Sequence, residues 1–220
     1  MTELPLGLPA HDPPAQATSG ELDLSAWLRD DSVRARYYAR VYDEPGPRAC
    51  WPWLGAISSS GHGELQLGGR GGPVAKAHRL GFQIAYGPLA PTPPARFALV
   101  VMHTCDEHSC QNPAHWQWAT SGDNTRDYYQ RGKLGVASPL NDPRGRQARA
   151  MAIRDAVKAA GPWPDEQPSA TALRPGEAYP EEYVDAFDQW KHRKAARLAA
   201  YREAIALPIW QEEAGQLRLF

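Results

Sequence analysis

The chain reads as an α+β protein: a helix and a β-ribbon, then a compact β-β-α core, then a helical extension. Three observations predict this. Short alternating runs bounded by glycine fill residues 53 to 79. An apolar run, Phe97 to Met102, leads directly into His103, and a capped helical pattern follows about twenty residues later. Apolar residues recur at helical spacing near both ends of the chain.

Residues 24 to 42 place Trp27, Leu28, Tyr37, Tyr38 and Val41 at helical spacing, and Pro45-Gly46-Pro47 should stop that helix. The runs C-W-P-W-L-G-A-I, E-L-Q-L and V-A-K-A, separated by S-S-S-G-H-G and G-G-R-G-G, read as a twisted antiparallel ribbon over 53 to 79. A helix over 77 to 86 should end at Gly87-Pro88, and P-L-A-P-T-P-P-A should be a loop. Phe97 to Met102 is a buried strand, and a second short strand is expected near Trp116 to Trp118. Thr120 or Ser121 can cap a helix that runs through Asn124 and closes at Gly132. Basic and amphipathic patterns predict helices over 143 to 160 and 181 to 206, with a linker from Gly161 to Pro175 between them. The expected division is a flexible, proline-rich arm at 1 to 20, a core at 21 to 135, an extension at 136 to 210 and a tail at 211 to 220.

Composition narrows the class of protein. The hydrophobic share of 42 % suits a soluble globular chain. No apolar run approaches a membrane span, and the first twenty residues lack the pattern of a secretory signal, so a cytoplasmic setting is expected. The net charge of −1 conceals an uneven distribution. One base faces six acids before Arg34, sixteen bases face nine acids from Arg34 to Ala160, and seven bases face ten acids after it. A basic middle between acidic ends suggests a polyanion partner.

The three cysteines, Cys50, Cys105 and Cys110, cannot all pair as disulfides. Cys105, Cys110 and His115, with four residues between each and the next, form part of a zinc site by type and spacing. His103 just before them is an imidazole, which can act as a general base near pH 7. Asn124 just after them can offer an amide oxygen to a hard divalent cation.

The spacing H-x-C-x4-C-x4-H-x8-N resembles the His-Cys box of homing endonucleases, within the HNH or ββα-metal (His-Me finger) nuclease superfamily. The surroundings also resemble phage and bacterial HNH proteins: C-W-P-W-L-G, A-H-R at 77 to 79, H-T-C-D, C-Q-N-P-A-H and N-T-R-D-Y-Y-Q-R-G. The resemblance runs from about Ser25 to Gly135. It implies a ββα-metal core and a metal-dependent DNA endonuclease, leaving 5′-phosphate and 3′-hydroxyl ends. His103 would be the general base, and Asn124 would hold a catalytic Mg²⁺ or Mn²⁺. Cys50, Cys105, Cys110 and His115 would bind one structural zinc. An arginine near the scissile phosphate is common in these enzymes, which makes Arg70 at the ribbon tip the first candidate and Arg79 the second. Asp106 is expected to cap its turn, Asn112 to fix a loop, and His62 and His108 to lie on the surface. The larger His-Cys box enzymes carry a second zinc cluster further on, whereas no cysteine follows Cys110 here.

Further DNA contacts are expected from Arg70, Lys76 and Arg79 and, on the basic helix, from Arg144, Arg146, Arg149, Arg154 and Lys158. The extension could also serve a homodimer. The last five residues, Gln216, Leu217, Arg218, Leu219 and Phe220, resemble the short peptide with which bacterial polymerases and repair proteins dock on a sliding clamp. The alternative to a nuclease is a non-catalytic zinc module that binds DNA or docks on such a clamp; an RNA-directed nuclease is a third reading.

Overall fold

The computed structural model describes residues 23–89, 99–132, 138–168, 180–206, 210–213 and 216–219. The expected arm at 1 to 20, most of the proline-rich loop, Phe97, Ala98, part of the 161–175 linker and Phe220 lie outside the described residues. So do the side chains of Gln216, Leu217 and Leu219. The architecture is α+β, with five α-helices and small antiparallel sheets among the described residues. No described helix is long and apolar enough to cross a membrane.

The first helix is shorter than its apolar spacing predicts. A single 3-10 turn covers Trp27–Arg29, and helix α1 occupies Asp31–Tyr38. The break falls at Asp30, whose carboxylate accepts hydrogen bonds from the Ser32 and Val33 amides at 2.8 and 3.3 Å. Capping restarts the helix at that point, because its first amides have no partners within the helix. Beyond α1, Val41 leaves the helical pattern and pairs with Trp53.

The ribbon is a three-stranded meander: β1 at Ala56–Ile57, β2 at Gly63–Gln66 and β3 at Val74–Lys76. Chain reversals at Ser58–His62 and Leu67–Pro73 pair Ile57 with Gly63 and Gln66 with Val74. Lys76 ends β3, and helix α2, Ala77–Tyr86, follows without a linker. Strand β4, Leu99–His103, pairs antiparallel with β5, Trp116–Thr120, so that His103 faces Trp116. Helix α3, Ser121–Gly132, leaves β5 directly. Thr120 caps it: the Asp123 amide donates to Thr120 Oγ1 at 3.1 Å, and Thr120 Oγ1 donates to the Asp123 carboxylate at 2.6 Å.

Helices α4, Arg146–Ala159, and α5, Glu181–Ile205, match the periodicity predicted for the extension. Strands β6, Trp210–Glu213, and β7, Gln216–Leu219, form a hairpin that takes in the region of the expected clamp peptide.

Two apolar clusters hold these elements. One gathers Val33, Tyr37, Trp53, Leu65, Leu67 and Leu80 between α1, the meander and α2. The other gathers Tyr42, Leu54, Ile153, Val157 and Tyr201 between the loop after α1 and the α4–α5 pair. The neighbours Trp53 and Leu54 enter different clusters, so one extended segment ties the extension to the meander.

Candidate metal centre and the adjoining cavity

Four side chains from three segments converge beside the β4–β5 hairpin. The ligand atoms of Cys50, Cys105, Cys110 and His115 all lie within 4.8 Å of one another. His115 Nδ1 is 3.7 Å from Cys50 Sγ and 3.6 Å from Cys110 Sγ. Among the described residues this is the single group of this kind that can hold a metal ion. Three thiols and an imidazole form a donor set suited to a tetrahedral zinc.

The backbone explains why distant residues meet here. Pro52 bridges to Cys110, and the Gln111 amide donates to Trp51 O at 2.7 Å, which brings Cys50 beside the cysteine loop. The Thr104 amide donates to His115 O at 2.9 Å, closing the loop across the hairpin end. Asn112 fixes the loop as its position predicts: its Nδ2 donates to Pro47 O and Ala49 O at 2.9 and 2.7 Å, and its Oδ1 accepts from the Ala114 amide. The Tyr201 hydroxyl donates to Cys50 O at 3.1 Å, so α5 also supports the centre. Thiols this close share hydrogen bonds. Those from Cys110 and Cys50 hold the Cys105 thiol far below the usual range, and Cys105 in turn raises His115.

A cavity of about 600 Å³ lies beside β4. His103 and Asn124 both line it, the first from the end of β4 and the second from the first turn of α3. His103 is 8 % exposed, and its Nε2 lies 3.0 Å from the carbonyl oxygen of Cys110. A carbonyl only accepts, so Nε2 carries the proton and the neutral ring keeps its lone pair on Nδ1. Cys110, one of the four candidate metal ligands, therefore orients His103 through its own backbone. Burial lowers the His103 pKa, which favours the neutral ring.

The sequence missed three more histidines in this cavity. His62, His78 and His108 line it with His103. Ring centroids are 4.6 Å apart for His62 and His78, 4.5 Å for His62 and His108, and 5.0 Å for His78 and His103. His62 and His108, expected on the surface, are half-buried and line the cavity. The Ser58–His62 reversal folds over the cysteine loop, where His108 Nδ1 donates to Ser60 O at 2.8 Å and His62 Nδ1 meets Ser60 Oγ at 2.9 Å. His78 was legible only as the middle of A-H-R. Burial pushes it well below the usual histidine value, and burial with the neighbouring His108 brings His62 to about 2.

The other candidates separate by location. Asp106 lines the cavity with a backbone φ of 60°, in its turn, and its carboxylate accepts from the Ser138 hydroxyl at 2.9 Å. Lys76, Arg79 and Arg146 line the cavity, while Arg70 stands on the exposed β2–β3 reversal and does not. Lys76 pairs with Glu64 at 2.6 Å. Arg149 is 6 % exposed, paired with Glu107 at 2.7 Å and Asp142 at 2.9 Å, and Arg144 pairs with Asp142 at 2.6 Å. A phosphate could reach Arg149 only by opening those buried pairs.

Over 92 residues, 42 % of the chain, the sequence is 32 % identical to Protein 7.7 of Escherichia phage T7. Over 93 residues it is 29 % identical to Protein 2.8 of the same phage. The chain spans 64 % and 58 % of the length of those two proteins. No family model matches, and no solved structure does.

Proposed function

We propose that the cavity hydrolyses phosphodiester bonds in DNA, as an endonuclease built on a zinc-stabilised ββα-metal core. The observation that carries this reading is that His103 and Asn124 line one cavity, from the end of β4 and the start of α3. With Nε2 committed to the Cys110 carbonyl, His103 Nδ1 is the atom that takes the proton of the attacking water. Asn124, with Asp127 one turn further along the same cavity wall, supplies oxygen donors that fit Mg²⁺ or Mn²⁺. When bound, that ion would stabilise charge on the phosphate and the leaving oxygen. The Cys50, Cys105, Cys110 and His115 centre serves as the structural zinc, holding the cysteine loop and with it the orientation of His103. Burial keeps the His103 ring neutral, as a base requires.

The test is nicking of supercoiled plasmid with Mg²⁺, by wild type and by His103→Ala. The variant should lose about 10²–10⁴ in rate. Equal rates in the two proteins would remove His103 from the mechanism. No cleavage of DNA by the wild type would leave the non-catalytic zinc module as the better reading, and parallel digestion of RNA separates the two nucleic acids.

A further inference from the structure

We propose that Arg146, the first residue of α4, is the side chain that grips the substrate phosphate, so that the helical extension completes the site. The inference rests on the phosphodiester reading above and assigns a residue to it.

The cations near the cavity differ in what already holds them. Arg70 is outside the cavity. Of the three cations that line it, Lys76 is held by Glu64 at 2.6 Å, and Arg79 is half-buried and engaged within the protein, although its buried Nη2 makes no hydrogen bond and belongs with His78 to the cavity wall. The guanidinium of Arg146 lies over the ring of Tyr128, 5.3 Å from its centroid, and among the described residues no carboxylate pairs with it. A guanidinium on an aromatic face keeps its N–H edge for a planar or tetrahedral oxyanion.

The backbone of Arg146 is also fixed close to the cavity. The Ser58–His62 reversal packs against the start of α4: a Cβ on Gly61 would meet the Arg146 carbonyl oxygen at 2.9 Å. Arg146 is therefore anchored beside the histidines, at the open side of the cavity, although its side chain is exposed. Gly145 precedes it with φ 80° and brings no side chain to cap the first amides of α4. Those amides and the helix dipole favour an anion at this end.

Independently, His78 points to a ligand in the same cavity. It is 6 % exposed, and its Nδ1 is buried without a hydrogen-bond partner. A buried polar nitrogen without a partner is rare in folded proteins. A phosphate oxygen held between Arg146 and the imidazole wall would satisfy it.

The test uses the full chain and compares wild type, Arg146→Ala and Arg146→Lys in single-turnover plasmid nicking. Arg146→Ala should lose about 10²–10³ in rate, as removal of one charge-stabilising donor does. Arg146→Lys should recover only part of the loss, because an ammonium lacks the planar fork. An unchanged melting temperature in both variants is expected, since the side chain lies outside both apolar clusters. Nicking by Arg146→Ala within threefold of wild type overturns the proposal, and so does a loss seen in Arg70→Ala but not in Arg146→Ala. If the wild type cuts no nucleic acid, the nuclease reading fails, and binding of inorganic phosphate by calorimetry decides the clamp alone. A tenfold or greater weakening in Arg146→Ala then supports it, and equal affinity overturns it.

Discussion

A single backbone oxygen does much to define His103. By accepting from Nε2, the carbonyl of Cys110 fixes the tautomer of a buried imidazole and joins the metal centre to the cavity. The histidines around it have a consequence for stability. His62 is held near pKa 2 in the folded chain, first by burial and then by His108. Unfolding restores an ordinary value of about 6.5. The unfolded chain therefore binds more protons between these values, and the stabilisation is complete above pH 6.5 and is lost as pH falls below it. His62 alone should contribute about 2 kcal/mol of destabilisation between pH 7 and pH 5. Denaturant midpoints at the two pH values measure it, and His62→Gln should reduce the difference. A midpoint as high at pH 5 as at pH 7 would contradict the neutral state of His62 in the cluster.

At the scale of elements, the extension is locked to the cysteine loop by charge as well as by apolar packing. Arg149 of α4 reaches Glu107 in that loop and Asp142 ahead of its own helix, and its Nη1 also donates to Ile205 O at the end of α5. Both carboxylates are at most 5 % exposed. Removing the guanidinium would leave the buried Glu107 carboxylate without its ion-pair partner and Asp142 with Arg144 alone. Arg149→Ala should therefore lower unfolding stability by about 3–5 kcal/mol, measured by urea titration. A loss under 1 kcal/mol would show the network to be incidental. A basic face on residues 143 to 160 suggests phosphate contacts, yet Arg149 and Arg144 turn inward because acidic partners distant in sequence, or just before the helix, fold against them.

For the whole molecule, the candidate metal centre draws on three separate pieces of chain: the loop after α1, the turn after β4 and the 3-10 turn before β5. With apparent binding of about 10–16 kcal/mol in comparable structural zinc sites, its loss should loosen both apolar clusters, because Trp53 and Leu54 lie just beyond Cys50. The purified protein should contain one zinc per chain by elemental analysis. A chelator should lower the melting temperature by about 10 °C or more, given roughly 2–4 °C per kcal/mol for a chain of this size. Cys105→Ser should reproduce the effect without chelator. Full thermal stability after metal removal would refute a structural role for the centre.

Local physics made much of this protein legible in its sequence. The α+β class, helix α2, the β4–β5–α3 succession, helices α4 and α5 and the Cys105, Cys110 and His115 grouping all follow from short-range periodicity, capping and ligand spacing. The sequence also marked the His103 and Asn124 pair, whose separation of twenty-one residues is the span of one loop, one strand and one turn of helix. Tertiary structure alone decided the rest: the gathering of His62, His78 and His108 around His103, the inward turn of Arg149, and the arrival of Arg146 at the cavity from α4. Each of these depends on contacts between residues far apart in the chain, and such contacts leave no periodic signal in either partner's own segment.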